Sequence, residues 1–429
     1  MVKKILKAFK ISEVRATIIL LLIMHYSLLT TQAQNFSFYT EGGQSGQAVG
    51  IVGNYSINSN ILTAKFINTL YKGGKLDDAT KDKASKRLGK NNRFGGDVGY
   101  GLFYIQHPKR SDSTAKVGYF VALNWKANLS ASFSKDLFNW VFQGNKDYAG
   151  TKSYLGGSKF NLMTWRELQG GLLWEKKKGK VNIRSGITLS VLQGRALFNA
   201  RLTQLEVDMD SLGYALDVTS KIGVSASAPN RHFTDGRAYG GAIGGFLITE
   251  YEKGTFKFEV NDLGALFFDK NTQQITNEGK FHWEGYKFNS FKGIGDSIAN
   301  FVKVDALKTK YQIKEDRQAA TMLMPAWFKL AYEFKLPKNQ SIEFGLMERI
   351  TYGWFPYLYS HYNLQATPGF RFGARLSYGG YGGLSVGLYL DKKFGKNFAA
   401  SIGSNTVEGF VLSKVANGQG VFLNLRGMF

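Results

Sequence analysis

A chain of 429 residues with 50 glycines, 33 phenylalanines, 22 tyrosines and seven tryptophans, but six prolines and no cysteine, excludes a disulfide framework, thiolate chemistry and a lipid anchor on cysteine. Its formal net charge of +23 makes acidic surfaces its natural neighbours. After residue 29 no run is long and apolar enough for a membrane-spanning helix, which needs about 20 residues.

The N-terminus sets the compartment. Lys3, Lys4, Lys7, Lys10 and Arg15 form a basic region, Ala16–Leu29 is largely apolar, and Thr31-Gln32-Ala33 is a small-x-small cleavage site. Together they predict a cleaved signal peptide over residues 1–33 and export of the rest. Residues 34–429 then read as one domain. Nucleic acid is not an expected partner for an exported chain.

Ile61–Lys90 reads as two short helices around Gly73-Gly74. The first carries Leu62, Phe66, Ile67 and Leu70 on one stripe. The second starts with Asp77 and Asp78 and ends with Lys86, Arg87 and Gly89, charges that match a helix dipole and a glycine that stops a helix. A second helical excursion is predicted near 294–314, where Ile294, Ile298, Phe301 and Val302 recur at helical spacing. Both are expected to cap or plug a barrel mouth.

Elsewhere the pattern has period 2. In Val117–Phe133 the odd positions are apolar, from Val117 and Tyr119 to Ala131 and Phe133. The even ones include Lys126, Asn128 and Ser130. Ile187, Leu189 and Val191 alternate with Thr188 and Ser190. Phe328, Leu330, Tyr332, Phe334 and Leu336 alternate with Lys329, Glu333 and Lys335. Leu384, Val386, Leu388 and Leu390 form another oily face. Val421, Leu423, Leu425 and Phe429 do the same at the C-terminus, in the manner of the closing strand that barrel-insertion machinery reads. Segments near 137–143 and 406–414 count as further strands, and 180–192, 196–209 and 213–221 as three separate ones.

Backbone polar groups in lipid need internal partners, so a membrane protein without apolar helices must close its sheet. The predicted fold is therefore all-β: a transmembrane antiparallel up-and-down β-barrel with short helical segments in loops. Its strand number is even and about 14, with 12 or 16 allowed. Lys126, Lys329, Glu333 and Lys335 fall on the face expected to line the lumen.

Phe256, Phe258 and Val260 lead into Asp262-Leu263-Gly264; Phe281, Trp283 and Gly285 follow, and Thr321-Met322-Leu323-Met324-Pro325 opens a strand. This ordered set resembles an outer-membrane barrel family of unknown function found in Bacteroidota. Its members combine a strand ending in Asp-Leu-Gly, an aromatic-x-aromatic-x-Gly strand, a helical excursion and a Leu-x-Pro strand start. The family is distantly similar to fatty-acid-transporter-type barrels, although an early Asn-Pro-Ala segment associated with many of those is absent here. The resemblance implies an integral protein of a Gram-negative outer membrane.

No catalytic or metal constellation stands out. His107, His232, His282 and His361 are scattered without metal-ligand spacing, so no cofactor, metal or enzymatic activity is expected. The expected surroundings are outer-membrane lipids, lipopolysaccharide, the barrel-insertion machinery and other outer-membrane proteins. Two functions stay open: passage of a small hydrophobic or anionic solute, or a non-conducting barrel serving as scaffold or accessory subunit of a secretion or assembly complex. The role of Asp262 separates by mutation. If it serves a turn, Asp262→Asn lowers the heat-modifiable folded form on denaturing gels; if it serves a site, assembly is normal and activity falls.

Overall fold

The computed structural model describes residues 46–108, 116–227, 237–283 and 312–429. Its strands, in chain order, begin with β1 (Gln47–Ser59), β2 (Asn92–Gln106), β3 (Lys116–Phe133), β4 (Lys152–Tyr154), β5 (Ser158–Lys178), β6 (Val181–Met209), β7 (Leu216–Ser227), β8 (Ala238–Glu250) and β9 (Gly254–Phe268). There follow β10 (Gln273–Trp283), β11 (Ile313–Arg317), β12 (Ala320–Leu323), β13 (Trp327–Leu336), β14 (Gln340–Arg349), β15 (Phe355–Thr367), β16 (Phe370–Gly380), β17 (Leu384–Phe394), β18 (Phe398–Ser404) and β19 (Gly418–Met428). The helices are α1 (Ala64–Tyr71), α2 (Asp78–Ser85), α3 (Lys135–Phe142) and α4 (Glu408–Val411).

Fourteen of these strands close an antiparallel barrel. The last seam joins β1 to β19 from Ala48 opposite Met428 to Asn58 opposite Gly418. One barrel end carries tight turns, such as Lys178 to Val181 and Leu336 to Gln340. In the latter, Lys338 and Asn339 both take positive φ (60° and 56°), as primed hairpin turns require. Among the described residues, the long connections with structure of their own lie at the other end. The oily positions point outward: Val117, Tyr119, Val121, Ile187, Leu189, Leu330, Phe334, Leu384 and Leu388 are all exposed. An apolar exterior of this extent belongs in a bilayer.

Two elements outgrow the wall. β6 is one strand of 29 residues, where the sequence predicts a break near residue 195. Its first half pairs with β8 and its second half with β7, so the strand leaves the barrel and continues as a mast. β4, β7, β10 and β11 extend the sheet around it. One face of this outer sheet packs Val207, Met209, Leu216 and Val218 against Trp140 of α3, with Phe281 and Trp283 beside them. The segment near 137–143 is thus helix, not strand. Ser134 caps it by accepting the Leu137 N–H (3.1 Å), which a period-2 reading overlooks.

Residues 61–90 fold as α1 and α2. Asp77 caps α2, accepting the Thr80 N–H (2.6 Å), and also takes a hydrogen bond from Lys65 Nζ (2.8 Å). The Lys65 ammonium, with Thr80, holds this carboxyl well below its usual range. Phe66 and Ile67 are buried with Ile57, Phe94, Phe133 and Phe138, residues of the outward faces of β1–β3 and of α3. The helices therefore brace the rim from outside and do not enter the lumen; Leu70, on the expected apolar stripe, is exposed. The segment near 406–414 contains α4, not a strand. The excursion expected near 294–314 lies, up to residue 311, outside the described residues, and Ile313 onward is β11.

Gly264 of β9 lies so close to the neighbouring strand that a Cβ there would sit 2.0 Å from the Gly241 carbonyl oxygen. Gly264→Ala is expected to lower the heat-modifiable folded form, costing about 1–3 kcal/mol as overpacking does. Gly223→Ala, where an added Cβ meets nothing within 4 Å, leaves it unchanged.

Candidate functional site

Alternation along the wall sends every second side chain inward. On β3 these are Asn124, Lys126 and Asn128, and on β5 Trp165, Glu167 and Gln169. On β9 the alternation is broken. Ile243 of β8 faces Leu263 and Gly245 faces Val260, so Asn261 and Asp262 together oppose Gly244. Asp262 takes φ 55°. This β-bulge turns two successive side chains into the lumen, and both are buried. The Asp-Leu-Gly motif is therefore mid-strand, not the strand end the sequence predicts. Leu263 faces outward.

The bulge delivers a carboxylate to a buried cation. Lys126 Nζ lies 2.7 Å from Glu167 and 3.1 Å from Asp262, and its side chain is 14% exposed. Ser190 and Asn124 donate to the same Glu167 carboxylate (2.6 and 3.1 Å). Alongside, Arg349 holds Asp97 through two bonds of 2.6 and 2.7 Å and donates Nε to the Pro325 carbonyl (3.1 Å). Asn128 donates to Asp97 (2.9 Å). This network joins β2, β3, β5, β6, β9 and β14 across the hollow, with three carboxylates and two cations.

A second ionic cluster lies nearer the tight turns. Lys257 meets Glu333 (2.7 Å) and Glu343 (2.6 Å), and Lys329 meets Glu259 (3.0 Å). Tyr359 donates to Glu343 (2.6 Å). Arg375 lies over the rings of Tyr359 and Tyr389, 4.6 and 4.9 Å from their centroids, and 3.2 Å from His361 Nδ1. Lys335 sits at the turn-end mouth, more exposed, on Glu250 (3.1 Å).

Apolar packing adjoins these charges on both sides. Phe103, Ile105, Phe120, Leu173, Phe246 and Ile248 bury one another toward the tight turns. Met163, Leu192, Leu197, Leu266, Phe268 and Met324 do so toward the loops. Between them lies a cavity of about 130 Å³ bordered by Lys126, Asp262 and Arg349 and by the rings of Trp165, Trp327 and Trp354.

Beside this cavity the wall's backbone ladder is interrupted. β9 pairs with β13 up to Asn261 and with β12 from Ala265 onward. Across the intervening Met324-Pro325-Ala326 the Met324 N–H reaches the Gly264 carbonyl (2.9 Å). Pro325 has no N–H to offer.

The other singled-out residues are dispersed. Phe281 and Trp283 belong to the outer sheet, and Gly285 lies outside the described residues. Val421, Leu423 and Leu425 face outward on β19. Phe429 follows that strand, its N–H donating to the Gln47 carbonyl (2.9 Å). His107 is buried at the end of β2, His282 lies 2.7 Å from Asp217 on the outer sheet, and His232 is outside the described residues. Glu167, Asp97, Arg349, Lys257, Glu259, Glu343 and Arg375 complete the ionic clusters without having been singled out. Their inward parity was readable, most clearly for Glu167 between Trp165 and Gln169. Gly383-Leu384-Ser385-Val386-Gly387 has the spacing of a hydrolase nucleophile elbow, but Ser385 lies in β17, not at a strand-to-helix turn, and its Oγ is 3.2 Å from Ser377 Oγ.

Removing Lys126 strands Glu167 and Asp262 without their shared cation. Lys126→Met is expected to destabilise the barrel by about 3–5 kcal/mol, read as a lower urea midpoint for unfolding from detergent. Lys180→Met, breaking an exposed pair with Glu252, changes it by less than about 1 kcal/mol.

A search of the curated proteins finds no match to this chain. Among solved structures it is similar to the toluene transporter TbuX of Ralstonia pickettii (7% identity, TM-score 0.44, 90% of each chain covered). It is also similar to the toluene transporter TodX of P. putida (9% identity, TM-score 0.41, 91% of this chain and 90% of that one). A FadL homologue of Pseudomonas aeruginosa matches at 10% identity and TM-score 0.38, over 89% and 90% of the two chains. A family model described as a family of unknown function (DUF5723) matches residues 47–401. That span runs from the first strand of the barrel into β18, and the chain belongs to this family.

Proposed function

We propose that this protein is an integral outer-membrane barrel that passes small, largely apolar solutes through a path that opens transiently. The observation that carries the reading is the aromatic-bordered cavity lying against the interrupted seam between β9 and β13. A wall that lacks part of its ladder is easier to part there than where bonds run unbroken. Charge favours apolar over anionic cargo, because the cavity-side network holds three carboxylates against two cations. The strongly basic composition suits lipopolysaccharide phosphates, and the outward Val421, Leu423 and Leu425 suit recognition by insertion machinery. Both partners are part of the proposal.

Packed apolar side chains and paired charges leave little room for hydrated ions. Purified protein in planar bilayers is expected to show little steady conductance, while proteoliposomes take up a neutral aromatic probe faster than protein-free vesicles. A large, stable, salt-dependent conductance would contradict the gated form, and absence of uptake would contradict transport.

One feature favours a second reading, an accessory subunit of an outer-membrane assembly. Phe410, Val411, Leu412 and Val415, on and after α4, are each more than half exposed and form an apolar knob at the loop end. Under that reading Phe410→Ser with Val411→Ser abolishes co-purification of a partner and leaves solute uptake unchanged.

A further inference from the structure

The central cavity carries more information than its place beside the seam. Four residues on its border hold buried polar atoms that have no hydrogen-bond partner among the described residues: Trp165 Nε1, Trp354 Nε1, Tyr357 Oη and Thr406 Oγ1. An indole N–H can only donate, and the two hydroxyls can donate as well. Buried polar groups are almost always partnered, so four around one hollow are an unusual concentration. They ask for an acceptor.

Charge narrows what that acceptor can be. Lys126 is held between Glu167 and Asp262, and Arg349 is locked on Asp97. Neither cation is free to neutralise a bound anion, and the carboxylates outnumber them. A carboxylate or phosphate would find no spare cation, because Asp97 and Asp262 on the border already match Lys126 and Arg349, and Glu167 lies behind Lys126. A neutral carbonyl or ether oxygen meets donors and needs no cation.

Size and walls narrow it further. The volume of about 130 Å³ is close to the ~150 Å³ of an engineered apolar cavity that takes up benzene. Trp165, Trp327, Trp354, Tyr357 and Tyr381 border it, offering faces and edges to a flat ring. The donor on Trp354 is also held in place: its ring meets Tyr381 edge-on at 5.1 Å and 89°, and the Arg349 guanidinium lies 5.8 Å from its centroid.

We infer that this cavity binds a neutral, single-ring molecule bearing a hydrogen-bond-accepting oxygen. The inference deepens the transport reading by naming the class of solute, but binding and passage are separable. The probes are benzamide, which has ring and carbonyl, toluene, which has no acceptor, and benzoate, which is anionic. Each is titrated calorimetrically into the purified full-length barrel in detergent micelles. Benzamide is expected to bind at one saturable site, toluene at least about tenfold more weakly, and benzoate not measurably. Trp354→Phe and Tyr357→Phe keep a ring and remove a donor. Each is expected to weaken benzamide about threefold to tenfold, as loss of one hydrogen bond does, and to leave toluene unchanged. The heat-modifiable gel band checks that both variants fold.

No saturable benzamide binding, equal affinity for toluene, tight binding of benzoate, or wild-type affinity in both variants would each overturn the site. Binding as expected without uptake into proteoliposomes sinks the transport reading and keeps the site. Uptake without saturable binding does the reverse.

Discussion

In hydrocarbon a peptide N–H or C=O without a partner has no water to turn to, and each such group costs several kcal/mol. The fold is organised around that constraint. Fourteen strands close on themselves through the β1–β19 seam, which runs through eleven residues of each strand without a register shift. At Met324-Pro325-Ala326, proline removes a donor that would otherwise need an acceptor, and its carbonyl is claimed by Arg349. The seam is thus weakened without leaving that carbonyl bare.

The ionic networks follow from the same closure. Outward positions must be apolar, so the interior receives the charges, and a hollow of this width cannot be filled by backbone. Lys126, Glu167 and Asp262 come from strands distant in sequence and meet because the barrel brings them face to face. Burial makes each charge depend on its partner: two carboxylates around one ammonium hold together, whereas any one of the three alone would be far more costly. The apolar clusters on either side keep water away and sharpen that dependence. The interior is tied across its width, and the cavity is what the ties leave unfilled.

Much of the architecture was legible in the chain. The alternations in Val117–Phe133 and Phe328–Leu336 gave strand, face and membrane exposure together; closure makes the strand number even, and the count of alternating segments brings it near 14. Local chemistry that competes with period 2 was harder to read. Residues 137–143 look like a short strand until Ser134 is recognised as a helix cap, and residues 406–414 conceal one helical turn. The Asp-Leu-Gly motif reads as a strand end because Asp and Gly favour turns. In the structure the same preferences for positive φ and close approach build a bulge inside β9. The partners of Lys126 could not be read at all, since pairing across a barrel depends on stagger and on which strands are neighbours. Neither is written in any one segment.

The seam between β9 and β13 has one more property. The strands on its two sides are separated along the chain by residues 269–319, a longer excursion than between any other neighbours in the wall apart from the closing pair. The entropy of closing such a loop rises only slowly with its length, so the finished barrel tolerates it. Zippering is another matter, because contacts distant in sequence form late. The stretch of wall whose ladder is interrupted is also expected to be among the last to zip during assembly, so a nascent barrel stays ajar there until the outer sheet has folded and brought its return strand home.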